Sequence, residues 1–381
     1  WQSCSAVIVT LIAKITSALL EYRHMKAIQM LRPEAGAVGF STDQPIPQPA
    51  PGEVRIKVLN TAICGTDRHI YHWDDSISSM VSPPTIIGHE FCGHIEALGD
   101  GVDTWQLDEY VSAEMHITCN ECRACVAGNQ HICEKTVIAG LHRDGCFAEY
   151  VVVPASNVVR LDEKFVPPHI GALLDALGNA VHTVESASSI AGRHVLLSGY
   201  GAIGAMAASV VEFEGAASLT ICEVQPGNSQ RARDWVESLD SKVPIFVHNP
   251  ATEGSSMLDE IRQQTNGGVD VVLEMSGAPA AIRVGLDLLY PGGEMMQLGI
   301  PSGSDLAIQN FARDFIFKGI TWKGILGRRM FGTWTEMLSL LERGLNIEHV
   351  VTHRLPLSEF SHGIELLDSG QALKVVLDPQ Q

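Results

Sequence analysis

Four cysteines lie close together in the sequence with a spacing that suits a single metal ion. Cys119, Cys122, Cys125 and Cys133 follow the pattern C-x2-C-x2-C-x7-C. Thiolates spaced in this way can surround a tetrahedral Zn²⁺ ion with bonds of about 2.3 Å. An iron–sulfur cluster is the alternative, but the ferredoxin pattern places its fourth cysteine after three residues and before a proline. Glu134 follows Cys133 here, so the spacing favours a closed structural zinc site that holds a loop.

A second set of residues could form a metal site with an open coordination position. Cys64, His89 and Glu90 supply a thiol, an imidazole and a carboxylate, each of which binds zinc. Three protein ligands with a vacant fourth position define a catalytic zinc site. The spacing alone leaves the question open, because a single cysteine and a single histidine are more often ordinary core or surface residues. Their occurrence together with a four-cysteine lobe and a nucleotide-binding pattern favours a catalytic zinc.

A glycine pattern further along the chain is typical of dinucleotide binding. Residues 199–204 read G-Y-G-A-I-G, follow a predicted strand and open a predicted helix. Gly199 permits the tight turn, Gly201 lets a pyrophosphate approach the backbone, and Gly204 lets the helix pack on the strand. Glu223 stands near the spacing expected for a carboxylate that binds the ribose hydroxyls, which favours NAD over NADP. The alternative is a domain of the same fold that binds no nucleotide.

The pattern of predicted elements divides the chain into two domains. Residues 25–175 are rich in short β-branched runs broken by proline and glycine, which predicts a small β-rich domain. Residues 176–315 alternate strands, glycine turns and helices, which predicts an α/β domain with a doubly wound parallel sheet. Residues 316–381 return to short strands, and we expect them to complete the first domain.

Composition limits the partners and the compartment. The 381 residues suit two domains, and the net charge of −18 argues against nucleic acid and anionic membrane surfaces as partners. Clustered cysteines in an odd total of 9 favour metal binding in a reducing compartment, so we expect a cytoplasmic protein. Residues 1–24 match neither a signal peptide nor a membrane span. We interpret them as a translated upstream segment or a poorly ordered extension, with a short amphipathic membrane anchor as the alternative.

These motifs together resemble the medium-chain zinc-dependent alcohol dehydrogenases, from residue 25 almost to the C-terminus. The general motifs of that family are matched by residues 64–67, residues 88–90 with Gly93, the cysteine lobe and residues 199–204. Further stretches are similar to the members of the family that oxidise L-threonine: residues 66–71, 116–119, 178–183, 274–279 and 327–331. The resemblance implies a GroES-like catalytic domain beside a Rossmann NAD-binding domain. It also implies zinc-dependent oxidation of L-threonine to 2-amino-3-oxobutanoate, with a related polyol or 2,3-butanediol dehydrogenase as the alternative.

The resemblance also assigns roles to individual residues. Cys64, His89 and Glu90 would hold the catalytic zinc, and the four cysteines of the lobe would hold a second zinc. The remaining catalytic and substrate assignments are a proton relay through Thr66 and His69, Asp175 beside the metal, and His116 facing the substrate. Without the resemblance, Thr66 and Asp175 could equally be helix caps. His69 could be a surface histidine, and His116 could only shield the metal loop.

The cofactor assignments and the assembly follow from the same resemblance. The residues expected to contact NAD are Gly199, Gly201, Ile203, Gly204, Glu223, Asn228, Leu298, Gly299, Ile300, Ile325 and Leu326. A homotetramer is expected, with apolar strands near residues 293–300 as a candidate dimer edge. Four positions depart from the family: Asp108 replaces a turn glycine, Tyr110 replaces an arginine of the same turn, Asn228 stands where an arginine usually supports the ribose, and Ala176 replaces a proline.

Overall fold

The computed structural model describes residues 24–75, 77–301, 305–308 and 310–381. All but the last residue of the expected N-terminal extension therefore lies outside the described residues. The strands are β1 His24–Met30, β2 Val38–Pro45, β3 Glu53–Ala62, β4 Thr85–Ile86, β5 Phe91–Leu98, β6 Tyr110–Ala113, β7 His116–Ile117, β8 Val137–Ile138, β9 Tyr150–Pro154, β10 Val158–Arg160, β11 His194–Ser198, β12 Ser218–Cys222, β13 Ile245–His248, β14 Val269–Glu274, β15 Leu289–Gln297, β16 Thr321–Gly324, β17 Val351–Pro356 and β18 Lys374–Asp378.

The α-helices are α1 Gly65–His72, α2 Arg123–Val126, α3 Pro168–Gly171, α4 Leu174–Glu185, α5 Ala202–Phe213, α6 Pro226–Ser238, α7 Pro250–Glu253, α8 Ser256–Gln264, α9 Pro279–Leu288, α10 Gly332–Glu342 and α11 Phe360–Asp368. Short 3₁₀ turns occupy Gln130–Ile132, Ala155–Asn157, Glu348–Val350 and Leu357–Glu359, and Ala312–Ile316 forms one π-helical turn. No helix in these described ranges is both long and apolar enough to cross a membrane.

The first domain is built on a mixed sheet with the order β10-β6-β5-β3-β18-β17, in which β9 also pairs with β3. Strand β3 explains the predicted alternation, because Val54, Ile56 and Val58 are buried while the residues between them are more exposed. Strand β18 runs antiparallel to β3, with Leu377 opposite Thr61. The C-terminal strands therefore belong to the same sheet as the N-terminal half of the chain.

The second domain contains a parallel sheet of six strands in the order β13-β12-β11-β14-β15-β16. In chain order this is 3-2-1-4-5-6, the arrangement of the Rossmann fold. The central strand β11 carries a continuous buried run of Val195, Leu196 and Leu197, as expected for a parallel strand covered by helices on both faces. The direction in which successive strands are added to the sheet reverses between β11 and β14. The carboxyl ends of these two strands therefore flank the expected ligand crevice.

Two details of the prediction need correction. Strand β16 pairs with β15 in the parallel sheet, with Thr321 opposite Glu294, so this sheet extends beyond the boundary predicted at residue 315. Residues 293–297 lie in β15, which has neighbours on both sides and cannot form a dimer edge. The edge of the sheet on this side is β16. Its residues are mostly exposed, so the apolar signal that would have assigned it to the sheet is weak.

Helix α4 connects the two domains and brings the ligand crevice close to the first domain. It packs against α5 of the second domain and against α10. Its buried residues, including Leu177, Ala180 and Val181, join one apolar cluster with residues of β11 and α5. Because burial of a leucine or valine side chain contributes about 1.5–3 kcal/mol, this helix stabilises the relative position of the two domains.

Candidate active site

The four cysteines of the lobe come together around one point. Cys119 follows β7, Cys122 and Cys125 lie at α2, and Cys133 follows a 3₁₀ turn. The Sγ–Sγ distances are 3.5 Å for Cys119 and Cys133, 3.9 Å for Cys122 and Cys133, and 4.0 Å for Cys119 and Cys125. Four sulfurs about 2.3 Å from a tetrahedral centre would lie about 3.8 Å apart. The donor set therefore fits one zinc ion.

Backbone amides of the lobe donate hydrogen bonds that stabilise the thiolate form of its cysteines. The amides of Cys119 and Lys135 both donate to Cys133 Sγ at 3.4 Å, and the amide of Cys122 donates to Cys119 Sγ at 3.3 Å. Burial acts to raise the pKa of Cys133, but these hydrogen bonds outweigh it and lower the pKa to about 6. The thiol that receives two amides is thus ready to bind a cation near neutral pH.

Cys64, His89 and Glu90 are the second cluster that the structure brings together, with their ligand atoms within 4.8 Å of one another. Cys64 occupies the residue before α1, and the other two precede β5. Gly88 has a φ of +92°, and a Cβ there would lie 2.2 Å from the Phe147 ring, so the turn that presents His89 requires glycine. The buried His89 Nδ1 makes no hydrogen bond to the described residues. A thiol, an imidazole and a carboxylate in this arrangement fit a zinc ion with an open position.

Asp67 supports this cluster from behind. Its Oδ2 accepts a 2.8 Å hydrogen bond from the Cys64 amide, and its Oδ1 lies 3.8 Å from His89 Nδ1. Burial disfavours the charged imidazole, yet the Asp67 carboxylate outweighs this and raises the pKa of His89. At 3.8 Å this contact is electrostatic and not a hydrogen bond, so the carboxylate increases the basicity of the imidazole through its charge.

Lys374 neutralises the third candidate ligand. Its Nζ lies 2.5 Å from Glu90 Oε2, and both side chains are buried, at 3% and 0% exposure. Lys374 begins β18, so the C-terminal strand supplies this contact. The pair leaves Glu90 with one buried carboxylate oxygen, Oε1, that accepts no hydrogen bond from the described residues. Glu90 is thus shared between an ammonium group and the candidate metal position.

Thr66 and His69 lie on α1, which begins at the candidate metal site. Cys64 Sγ is 3.9 Å from Thr66 Oγ1, and His69 lies about one turn further along the helix. The His69 ring is 58% exposed and Nδ1 contacts the Asp74 carboxylate. The helix therefore leads from a hydroxyl beside the metal ligands to an imidazole in contact with solvent.

A buried guanidinium joins His116 and Asp175. Arg328 Nε donates to Glu114 Oε2 at 2.9 Å, and its NH2 lies 2.5 Å from Glu114 Oε1, 2.7 Å from Asp175 Oδ1 and 3.1 Å from His116 Nδ1. His116 Nδ1 is also 2.7 Å from Glu114 Oε1, and the Trp334 indole donates to Oε2 at 2.9 Å. Although burial opposes it, Arg328 holds the pKa of Glu114 far below its usual range. Asp175 is thus held by Arg328 as well as standing near the metal ligands.

The candidate nucleotide site is a cleft of about 670 Å³ between the two domains. Gly199 has a φ of +97°, and a Cβ on Gly204 would lie 2.1 Å from the Gly199 carbonyl oxygen. Nothing lies within 4 Å of a Cβ built on Gly201, which keeps the approach to the helix N-terminus open. Ile203 and Gly204 line the cleft together with Cys64, so the glycine turn and the candidate metal site share one cavity.

Glu223 lies at the end of β12, where the prediction placed it. Its carboxylate accepts 2.6 Å hydrogen bonds from the amides of Tyr200 and Gln225. Each oxygen keeps a lone pair, so the fixed carboxylate can still accept ribose hydroxyls. Asn228 also lines the cleft, but its Oδ1 accepts a 2.9 Å hydrogen bond from Arg231, whose NH2 donates to backbone carbonyls of the first domain. Arg231 is thus held one turn further along α6 than Asn228, the position at which the family usually has an arginine.

The other expected cofactor residues lie in the loops after β15 and β16. Leu298, Gly299 and Ile300 follow β15, and Ile300 is 86% exposed. Ile325 follows β16 and is buried, with its amide donating to Gln297 O at 2.8 Å, whereas Leu326 is exposed. These loops lie at the same edge of the sheet as the glycine turn, because all the strands are parallel.

Two of the family departures have a visible structural consequence. Asp108 keeps the left-handed conformation of the missing glycine, with a φ of +65° that aspartate tolerates better than most residues. The neighbouring Glu109 pairs with Arg160 at 2.6 Å. The turn therefore keeps its left-handed residue, and an ion pair lies beside it. Ala176 is buried in the first turn of α4, a part of a helix that also tolerates proline.

Sequence reasoning missed the residues that support the site. Asp67 and Arg328 lie in motifs that assign them no separate role, and nothing local assigns one to Lys374. Glu114 lies two residues before His116, and its neighbours in the sequence do not show that it is buried. The signal that these residues offer is a charged side chain among apolar neighbours, as where Lys374 precedes Val375 and Val376.

Family comparisons agree with the two-domain fold. The description "Alcohol dehydrogenase GroES-like domain" matches residues 50–163, and "Zinc-binding dehydrogenase" matches residues 202–343. The chain therefore belongs to the zinc-binding alcohol dehydrogenase family, with a GroES-like domain and a Rossmann domain.

Within this family, the chain is similar to enzymes named L-threonine 3-dehydrogenase. The protein of that name from Proteus mirabilis is 40% identical over 358 residues, which cover 93% of this chain and 100% of the relative. The one from Francisella tularensis is 39% identical, with 93% and 99% covered.

Solved structures show the same architecture. The 2R,3R-butanediol dehydrogenase from Bacillus subtilis has a TM-score of 0.82 at 25% identity and covers 93% of this chain and 99% of its own. A putative zinc-binding dehydrogenase from Sinorhizobium meliloti bound to NADP has a TM-score of 0.82 at 27% identity, with 94% and 100% covered.

Proposed function

We propose that this protein oxidises L-threonine at its secondary hydroxyl to 2-amino-3-oxobutanoate and transfers the hydride to NAD. The observation that carries the proposal is the shared cavity, in which Cys64, Glu90 and the glycine turn of the nucleotide site line one cleft. The relatives named L-threonine 3-dehydrogenase supply the substrate, since they match nearly the whole chain at about 40% identity.

The residues of the chain have separate tasks in this reaction. Cys64, His89 and Glu90 would hold a zinc ion, which when bound lowers the pKa of a substrate hydroxyl as a Lewis acid. Thr66 accepts the hydroxyl proton and passes its own proton to His69, whose exposed ring releases it to solvent. A nicotinamide bound in the cleft would supply the acceptor for the hydride that the carbinol carbon loses as its C=O bond forms.

Glu223 selects the cofactor. Its carboxylate is fixed by two backbone amides at the end of β12, where it can accept both ribose hydroxyls. A 2′-phosphate at the same place would meet a negative charge that cannot rotate away. We therefore propose NAD as the cofactor, although the similar Sinorhizobium structure holds NADP.

A diol dehydrogenase is the second candidate, because the butanediol dehydrogenase of Bacillus subtilis has the same fold. The test is NADH formation by the zinc-loaded protein with L-threonine, 2R,3R-butanediol and sorbitol at equal concentrations. We expect the kcat/KM for L-threonine to exceed that for either other alcohol by at least about tenfold, a difference of about 1.4 kcal/mol in the barrier. Turnover of a diol without turnover of L-threonine would reject the substrate assignment.

We also propose a cytoplasmic homotetramer. The described cysteines are free thiols, which suits a reducing compartment. Near the edge strand β16, Ile316 and Phe317 are exposed, at 56% and 81%, and Ile300 is exposed in the neighbouring loop. Apolar side chains beside an unpaired edge strand suit contact with a second copy of the chain. Light scattering at micromolar concentration should give four times the chain mass, and a monomer would reject the assembly.

A further inference from the structure

Glu274 is a buried carboxylate that the mechanism above does not use. It is the last residue of β14 and is completely shielded from solvent. Among the described residues, no ion pair involves it. Its charge is instead met by hydrogen bonds from neutral donors, namely the amides of Ser276 at 3.0 Å and Gly277 at 2.9 Å, the Ser276 hydroxyl, and Gln297 Nε2 at 2.5 Å. A buried charge with this many donors fixes all of them, because each lost bond leaves the charge less compensated.

These donors belong to the loops that follow β14 and β15. Gln297 Nε2 also donates to the Gly299 carbonyl at 2.7 Å, and the amides of Leu298 and Gly299 donate to the Glu274 carbonyl at 2.9 Å each. Both the backbone and the side chain of Glu274 therefore tie the second loop to the first.

The two loops also interlock at two glycines. Gly277 has a φ of +69°, and a Cβ there would lie 2.2 Å from the Ile300 carbonyl oxygen. A Cβ on Gly299 would lie 2.1 Å from the Gly277 nitrogen and 2.7 Å from Glu274 Oε2. Side chains at these positions would push the loops apart. The close approach of the loops therefore requires the two glycines, and the Glu274 carboxylate lies at the point of contact.

The position of the paired loops decides which part of a dinucleotide they can touch. In a sheet of order 3-2-1-4-5-6, the strands on one side of the switch point bind the adenosine half and those on the other side bind the second half. Glu223 ends β12 on the first side, whereas β14 and β15 form the other side. Met275 of the first loop lines the same cleft as Cys64 and Glu90. The loops thus lie beside the candidate metal site.

We propose that Glu274 is a positioning residue that holds the loops after β14 and β15 in the shape that receives the nicotinamide half of the cofactor. The inference rests on the proposed NAD-dependent function. Glutamine cannot replace the carboxylate, because its single amide oxygen accepts fewer bonds and its NH2 group would face other donors. The carboxylate therefore acts on nicotinamide binding through the loops, without touching the cofactor.

The test compares two ligands that differ only in the nicotinamide. NADH and ADP-ribose are titrated calorimetrically into the zinc-loaded parent protein and into Glu274→Gln, Ser276→Ala and Glu223→Gln. We expect Glu274→Gln to weaken NADH binding about tenfold or more and to change ADP-ribose binding less than about twofold. Ser276→Ala removes one donor and should show the same selective loss at a smaller size, about threefold. Glu223→Gln, on the adenosine side, should weaken both ligands.

The outcomes separate the inference from the function on which it rests. Circular dichroism and urea midpoints show which variants fold. If Glu274→Gln does not fold, Ser276→Ala provides the test. Equal loss of NADH and ADP-ribose, or unchanged NADH binding, in a folded variant overturns the positioning role while the NAD-dependent function stands. A parent protein that binds neither ligand overturns the proposed function and the inference with it.

Discussion

Replacing Arg328 with methionine should destabilise the protein strongly, because it would leave two buried carboxylates without their cation. The Arg328 and Glu114 side chains are 1% and 0% exposed, and Asp175 is 8% exposed. At such burial solvent screens very little, and breaking a buried pair from one side costs about 3–5 kcal/mol. We expect a loss of this size in the free energy of unfolding, measured by urea denaturation at fixed zinc concentration. Glu114→Gln in the same chain should recover part of the loss, at least about 0.5 kcal/mol, since one carboxylate is then neutral.

Arg32 provides the matched control. It pairs with Glu34 at 2.5 Å, but the two side chains are 65% and 58% exposed. Exposed ion pairs contribute at most about 1 kcal/mol, so Arg32→Met should leave the urea midpoint nearly unchanged. If Arg328→Met lowers the free energy of unfolding no more than Arg32→Met does, then the buried charge network does not hold His116 and Asp175 together.

Three further changes have distinct expected results. Cys122→Ser should lower the zinc content by one ion per chain and lower the melting temperature, as metal analysis and calorimetry would show; full zinc content would exclude the four-sulfur site. Glu223→Gln should reduce the preference for NAD over NADP in kcat/KM by about tenfold or more, and an unchanged ratio would remove this residue from cofactor selection. Asp108→Gly should raise the free energy of unfolding by about 0.5–1 kcal/mol, because glycine adopts its φ of +65° without strain. A lower urea midpoint for the glycine variant would contradict that reasoning.

Local motifs were predictable from the sequence because their residues are close in the chain, so that their spacing largely determines their relative positions. The four cysteines are close in the chain, and only a short loop is needed to bring their sulfurs within 4.8 Å of one another. The glycine turn and Glu223 are separated by one strand–helix–strand unit, whose dimensions are nearly constant. The two-domain α/β architecture followed from the same regular alternation.

The supporting contacts were not predictable, because they join residues that are far apart in the chain. Arg328 and Glu114 are separated by 214 positions, and nothing local distinguishes this arginine from one on the surface. Lys374 likewise reaches Glu90 from the C-terminal strand. The position of β16 was missed for a different reason, since its exposed residues lack the apolar run of the central strands. Long-range charge pairing and the edge of the sheet are settled by packing, which a single sequence does not record.

Removal of one candidate ligand of the catalytic metal, with zinc content and turnover measured together, tests the metal site most directly. Cys64→Ser is compared with Cys92→Ser, in which the serine hydroxyl can replace the 3.0 Å hydrogen bond from the buried thiol to the Pro168 carbonyl. We predict that Cys64→Ser loses one zinc per chain and at least about 10³-fold in NAD-dependent L-threonine oxidation, since a metal supplies several kcal/mol to such a step. The Cys92→Ser protein should keep both zinc ions and most of the activity. A folded Cys64→Ser protein with full zinc content and undiminished turnover would contradict the assignment of the metal site.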